Sequence, residues 1–496
     1  MIQPAETNYN HEVLSCIVNH MVLDLIARKS MEENFITVVD YSETVMGFPD
    51  KVRRLSLRFG GAKGAQIPGS FRTSQVRSLL FSGFFKCIPS IVKYRFLRVL
   101  ILYVWADQEK TNFDLTRICD LFLLRYLKIA CNIIVKLPEQ MQRLRFLETL
   151  EVYARVKTVP LDIVRLQSLS HLLLPRATAL PQGIGQMISL RTLGYFDLIS
   201  NTENTVLSLG QMTNLNGLHL TCSIAPSGHL VPNMKFLGSI ISRLSNLMYL
   251  TLAPYFSHGS SLEICTSSTS IPCDGLNGVA SPPVLLKRLE LSPHVYMFSV
   301  LPTWIAELGK LCILKIAARE LRQNDINVLK ELKALTSLSL YIRAAPEERI
   351  VFDKHGFQVL KHLKFICSAF SLAFKEGTMP NIRCIKLRFN ANSIEQYSPV
   401  DAGFENLTGL AVFSAKIGGP TDDESCRNTV RFVLEEAFSE HPSPPIINIQ
   451  FTDRIFYGDN GMSTAVQMEQ YRTLGKPGVV RMEGSHAQYG IRGDSR

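Results

Sequence analysis

One short pattern recurs along most of this chain: an apolar residue followed three and five positions later by two more. It appears first as Val52-Arg-Arg-Leu-Ser-Leu57, Val76-Arg-Ser-Leu-Leu-Phe81 and Leu97-Arg-Val-Leu-Ile-Leu102. It is cleanest in Leu147-Glu-Thr-Leu-Glu-Val152, Leu215-Asn-Gly-Leu-His-Leu220 and Leu335-Thr-Ser-Leu-Ser-Leu340. Fifteen copies can be read, the last as Leu407-Thr-Gly-Leu-Ala-Val412, and most lie 21 to 27 residues apart. Alternate side chains of a strand share a face, so the fourth and sixth positions point the same way. The first position turns inward just before the strand. No copy could bury its leucines alone, so the copies must stack, each coil covering its neighbours.

That period and motif are those of the leucine-rich repeat, and they predict an α/β repeat solenoid: a horseshoe with a concave parallel sheet. The convex side is written by a second element, clearest in Val159-Pro-Leu-Asp-Ile-Val-Arg-Leu166 and Leu301-Pro-Thr-Trp-Ile-Ala-Glu-Leu308. Proline suits the first position of a short helical turn, whose next Ile and Leu then face inward. The rhythm breaks between Leu215 and Leu286. The serine-rich composition there reads as a long loop, 254–284, on the surface.

Hydrophobic residues make up 46% of the 496 residues and charged residues 19%, which excludes a chain disordered throughout. No apolar run reaches the ~18 residues of a membrane span, and the first residues lack the basic and apolar segments of a secretory signal. The 11 cysteines include no CxxC pair, which fits a reducing compartment better than a disulfide framework. The net charge of +10 is unevenly spread: residues 51–420 carry 43 basic against 24 acidic residues, and both ends are acidic. Nucleic acid is nevertheless an unfavoured partner, because no arginine–aromatic run marks a strand-binding groove.

The expected organisation follows. Residues 1–50 hold a strand at Glu12–Val18, a helix capped by Asn19 and a strand at Phe35–Val39, and look like the end of a domain whose beginning is absent. The solenoid takes 51–420. Residues 421–451 form a C-terminal cap, with an amphipathic helix over Asp422–Phe438 that places Val430, Val433, Leu434 and Ala437 on one face. The stretch 452–496 has little periodicity and is expected to be a disordered tail.

The junction Leu14-Ser-Cys-Ile-Val-Asn-His-Met-Val-Leu-Asp-Leu-Ile26, Glu33-Asn-Phe-Ile-Thr-Val38 and Lys51-Val-Arg-Arg-Leu-Ser-Leu57, followed by Leu-Pro-x-x-Ile repeats, resembles a known family. The family is the plant intracellular nucleotide-binding leucine-rich-repeat disease resistance proteins, of the coiled-coil class of grasses. The resemblance covers residues 1–450 and implies that 1–50 is the remnant of a winged-helix subdomain carrying the Met-His-Asp motif. That motif aligns with Val18, Asn19 and His20, so asparagine stands where the motif histidine belongs and histidine where the aspartate belongs. There is no GxxxxGK[ST] loop, and Gly60-Gly-Ala-Lys-Gly64 has the wrong spacing to cradle phosphates. No cofactor is therefore expected in this chain; ADP and ATP belong to a full-length relative with a nucleotide-binding domain.

Enzyme signatures are absent: there is no HExxH, GxSxG or GxGxxG. His171, His219 and His362 fall on separate strands and read as solvent-facing rather than metal ligands, while Cys265 and Cys273 in the flexible loop are the two thiols expected to be most reactive, with no basic neighbour to make either catalytic. The sheet's outward positions remain as recognition candidates: Tyr126, Lys128, Glu151, Tyr153, His171, Phe196 and Tyr249, then Arg288, Lys315, Tyr341, Lys364, Lys386 and Arg388. Tyr, Phe and Arg anchor protein interfaces. The resemblance implies a plant innate-immunity module, protein-recognizing and autoinhibitory. Its partners would be a pathogen effector or guarded host protein and the nucleotide-binding domain of a receptor, with no membrane. Its place would be the cytoplasm, with the nucleus or a partner-borne membrane association as further locations. A stand-alone scaffold or adaptor, or a non-functional truncated paralogue, is the alternative.

Overall fold

The structure, a computed structural model, describes residues 2–7, 13–33, 35–40, 52–59, 73–107, 112–223, 232–255, 271–292, 296–419, 424–452 and 455. Gly60–Gly64 and all of the expected tail except 452 and 455 lie outside the described residues. Two compact units are present, Met1–Phe196 and Asp197–Asp459. Each is built on parallel strands that pair in chain order. In the first unit these are Thr37–Asp40, Arg54–Phe59, Ser78–Phe84, Val99–Trp105, Tyr126–Cys131, Thr149–Tyr153, His171–Leu173 and Thr192–Asp197. In the second they are Gly217–Ser223, Tyr249–Tyr255, Arg288–Leu291, Ile313–Ala318, Ser337–Ile342, His362–Cys367, Cys384–Asn390, Val412–Gly418 and Ile446–Thr452.

The repeat explains this register. First and fourth residues of the copies are at most 4% exposed, and the fourth-position leucines stand opposite one another from strand to strand, as in Leu100, Leu127, Leu150 and Leu172. Each such leucine removes enough apolar surface from water to contribute about 2 kcal/mol. The return segments are short 3-10 turns. Leu161–Arg165 and Thr303–Glu307 follow Pro160 and Pro302, which sit at the cap in extended conformation and not inside the first turn as expected. The residues after them, Ile163, Leu166, Ile305 and Leu308, are buried as the spacing predicts.

The last copy is out of register by three. Ile385 and Leu387 face Phe413 and Ala415, so the leading residue is Leu410 and the pattern reads Leu410-Ala-Val-Phe-Ser-Ala415. The backbone repeats the correction: the N–H groups of Ala411 and Val412 both donate to the Arg383 carbonyl, as those of Glu148 and Thr149 do to Arg125. Leu407 plays the part that Leu144 plays before Leu147.

Of the expected loop 254–284, residues 256–270, with Cys265, lie outside the described residues. Of the rest, Pro254 and Tyr255 end the strand Tyr249–Tyr255 and residues 271–284 are ordinary return segment. Ile271–Pro272 pairs in parallel with Tyr296–Met297, and Trp304 Nε1 donates to the Leu276 carbonyl at 2.8 Å. Cys273, expected to be reactive in a flexible loop, is fully buried just before the turn Asp274–Leu276. Backbones meet closely here: a Cβ on Gly275 would lie 2.1 Å from the Met234 carbonyl oxygen. Gly275→Ala must push two coils apart and is expected to cost about 1–3 kcal/mol in a chemical denaturation measurement, the range of overpacking substitutions.

At the N-terminal end Ile2–Thr7 runs antiparallel to Val13–Val18, and the helix His20–Glu32 follows. Asn19 caps it as expected, its Oδ1 accepting from the Met21 N–H at 2.9 Å. Asn19→Ala should weaken this helix by about 1 kcal/mol, read as a loss of helical circular dichroism on heating. The parallel sheet reaches past both ends of the fifteen copies, with Thr37–Asp40 before Arg54–Phe59 and Ile446–Thr452 after Val412–Gly418. Between the last two strands the helix Glu424–Glu436 buries Val430 and Leu434, followed by Ala437 and Phe438.

Candidate functional site

The candidate residues stand at positions two, four and six after each leading residue, and all but Phe196 lie on the sheet face opposite the leucines. Two groups stand out on that face, one in each unit.

In the first unit, cross-strand pairing sets Lys128 opposite Glu151. Their charged atoms are 3.5 Å apart, with side chains only 8% and 16% exposed. Tyr126 donates its hydroxyl to the other carboxylate oxygen of Glu151 at 2.9 Å. Burial, then the adjacent carboxylate, pushes the Tyr126 phenol far up, so it remains a donor. The Lys128 ammonium also lies 5.1 Å from the Tyr153 ring centre and 6.0 Å from that of Tyr103. Four of the sequence candidates are thus brought together, and Lys128 is a buried, answered charge and not a free surface cation. Tyr103 was missed, though it stands six after Leu97 and obeys the same rule.

Phe196 does not reach this face. It is 2% exposed, because Tyr195 adopts a left-handed backbone (φ 60°) that adds a kink to the strand and turns the next side chain inward. Tyr195 goes outward instead, its ring 5.4 Å from the Arg176 guanidinium. His171 and His219 are half-buried rather than solvent-facing, each tied through Nδ1 to a threonine directly across the ladder: Thr192 at 3.0 Å and Thr251 at 2.7 Å. Burial, then Arg288, lowers the His219 pKa. Tyr249, 40% exposed, stands opposite Arg288, which lies 3.6 Å from Glu290. Among the described residues no group of three His, Cys, Asp or Glu is arranged to hold a metal ion.

The second unit gathers cations. Lys364 stands opposite Lys386, Arg388 opposite Lys416, and Lys315 is two strands from Lys364 with Ser339 between. Tyr341 is nearly buried, packed with Ala317 and Ile366, and the Lys364 ammonium lies 5.5 Å from its ring centre. Arg388 is also buried, its Nη1 donating to the Ile455 carbonyl at 3.3 Å. Lys416 was missed because the last copy was read three residues early; in the true register it is six after Leu410.

Burial, then the fields of Arg388, Lys315, Lys386 and Lys416, brings the Lys364 amine down to about 6 from 10.5. The unfolded chain then binds that proton more tightly, so stability rises with pH between about 6 and 10.5 and is lost as pH falls through this window. Lys364→Met is expected to raise the melting temperature at pH 7 by several degrees, and the gain should vanish above pH 10.5. A gain of the same size at pH 11 would show that the amine carries no such penalty.

Comparison with known proteins agrees with this architecture. The sequence profile described as a leucine-rich repeat region matches residues 75–447, and the chain belongs to that family. Among individual relatives, disease resistance protein RGA5 of Oryza sativa subsp. japonica is 41% identical over 99% of this chain. Disease resistance protein Pik-2 of the same rice is 27% identical over 84% of it. The chain spans 42% and 46% of the lengths of these two proteins. A leucine-rich-repeat protein of Leptospira interrogans shares the fold, with a TM-score of 0.50 at 19% identity, over 80% of this chain and 96% of that one.

Proposed function

We propose that this chain is the protein-recognition and autoinhibitory module of a plant disease-resistance receptor, acting in innate immunity. The observation that carries the reading is a 41% identity to a rice disease resistance protein along 99% of the chain. The sheet face supports it: tyrosines, lysines and arginines stand in columns on a rigid scaffold, the chemistry of a protein interface. The partners are a pathogen effector or a guarded host protein, and the nucleotide-binding domain of a receptor. ADP and ATP are held by that domain; this chain binds no nucleotide and catalyses no reaction alone, and equilibrium dialysis with labelled ATP should show no retention. Among the described residues no helix is long and apolar enough to cross a membrane. The work is done in the cytoplasm.

The test is to co-express this chain with the remaining N-terminal part of its rice relative in leaf cells. The chain is expected to co-precipitate with that part and to reduce the cell death it triggers. Absence of both effects overturns the reading.

A further inference from the structure

In the first unit, at the rim where the chain turns into each strand, stacking brings four arginines into line. Each stands one residue after a leading position, and the backbone pairs them coil by coil. The Arg77 N–H donates to the Arg53 carbonyl, that of Arg98 to Arg77 and that of Arg125 to Arg98, at 2.7 to 2.8 Å. All four side chains are exposed. Glu148 follows Arg125 in the row and pairs with it at 2.5 Å. Both members of that pair are half exposed, where such a contact contributes little, so Arg125 can exchange it for another anion. Within two residues of the leading position, the first five copies hold seven arginines, the row with Arg54, Arg95 and Arg145. Glu148 is the one acid there among the described residues, and the sequence adds Asp50 and Lys51, which cancel. Asp120, on a return turn, is already answered by Arg117 and Arg143.

A row of phenylalanines runs beside the arginines. Phe96 and Phe146 immediately precede their leading residues and Phe122 precedes its own by two, and they are 44%, 49% and 52% exposed. The two rows touch, since the Arg77 guanidinium lies 5.2 Å from the Phe96 ring centre. Aromatic rings left in water on three consecutive coils mark a binding surface more than a packing need. Strands are ~4.8 Å apart, so the arginine row spans about 14 Å, the length of about four nucleotides of a stacked strand. Along the chain no arginine–aromatic run exists, which is why the sequence speaks against nucleic acid. Stacking assembles such a run across the coils, where sequence order cannot show it.

We propose that this rim binds single-stranded nucleic acid, its phosphates on Arg53, Arg77, Arg98 and Arg125 and its bases against Phe122 and Phe146. Guanidinium forks keep their charge when crowded and match phosphate oxygens two at a time. An acidic peptide would use the arginines and leave the rings idle, whereas a nucleotide strand uses both. The rim is separate from the polar columns of the sheet face, and the proposal does not depend on the receptor reading.

The experiment is a fluorescence-polarization titration of the full chain with a labelled twelve-nucleotide single-stranded RNA of mixed sequence. Controls are the same sequence as a duplex and a twelve-residue peptide of alternating Glu and Ser. The single strand is expected to bind at least tenfold more tightly than either control. Four phosphate contacts predict about fiftyfold weaker binding when salt rises from 50 to 200 mM. Arg98→Glu should weaken the RNA tenfold or more, and Phe122→Ala and Phe146→Ala about tenfold each, the effect of losing a stacked base. Lys310→Glu, exposed in the second unit, should change it less than twofold. All these side chains are exposed, so the variants should melt with the parent, and Arg98→Gln replaces Arg98→Glu should the reversal melt lower. Equal binding of the duplex or the Glu peptide, or indifference to the phenylalanine changes, overturns the proposal. Loss of RNA binding with co-precipitation of the receptor part intact would remove this inference alone, and the converse would remove only the receptor assignment.

Discussion

Phe404→Ala is expected to destabilize the second unit by about 3–5 kcal/mol, the cost of emptying a fully buried aromatic site. Phe404 is where the last coils meet. Its ring lies 4.6 Å from Phe438, 5.4 Å from Phe413, 5.5 Å from Phe374 and 6.3 Å from Phe370. Those partners come from the strand Val412–Gly418, the short strand Leu372–Phe374, Phe370 just before it and the segment just after the helix Glu424–Glu436. A single truncation therefore loosens the sheet, the return segment and the terminal helix together. In a solenoid each coil is held by its neighbours, so the damage should reach the terminal strand Ile446–Thr452 first. Urea denaturation monitored by exchange of backbone amides checks this. A loss below 1 kcal/mol, or one spread evenly over both units, would contradict the packing.

Glu151→Ala should cost the first unit about 3 kcal/mol. Lys128 has a side chain only 8% exposed, and Glu151 is the carboxylate that answers it. Removing one member of a buried pair leaves the other charge desolvated, which costs more than the pair contributes. The same change strips the Tyr126 hydroxyl of its acceptor. Glu151→Gln keeps an oxygen for Tyr126 and removes only the charge, so it should fall between wild type and alanine. The double variant Lys128→Met, Glu151→Leu is expected to recover most of the loss. A double-mutant cycle that finds no coupling would mean that the Tyr103 and Tyr153 rings suffice to hold the ammonium.

Much of this was legible in the repeat. The spacing gives the buried leucines, the inward and outward faces of each strand, and the two polar groups, since cross-strand neighbours follow once the copies are aligned. The failures are local and physical. Leu407, Leu410 and Phe413 form an unbroken three-residue ladder that admits two frames. Only the pairing with Ile385 chooses between them. That choice hid Lys416. Phe196 was misplaced because a left-handed tyrosine breaks the alternation, and side chains with a Cβ enter that conformation too rarely for any pattern to announce it. Cys273 was read as loop because serine-rich composition continued up to it, whereas the coil closes at Ile271–Pro272. The strands at either end carry no leading leucine, so they read as strands without showing that they pair with the repeats.

The central claim is that the polar face of the sheet, and not the return segments, meets the protein partner. Lysine acetylation footprinting of the chain, alone and with the N-terminal part of its rice relative, tests it directly. The claim predicts protection of Lys315, Lys386 and Lys416 on the sheet face, with Lys310 and Lys333 on the exposed return segments labelled as before. Protection of Lys310 and Lys333 with the sheet face unchanged, or no protection at all, would contradict it.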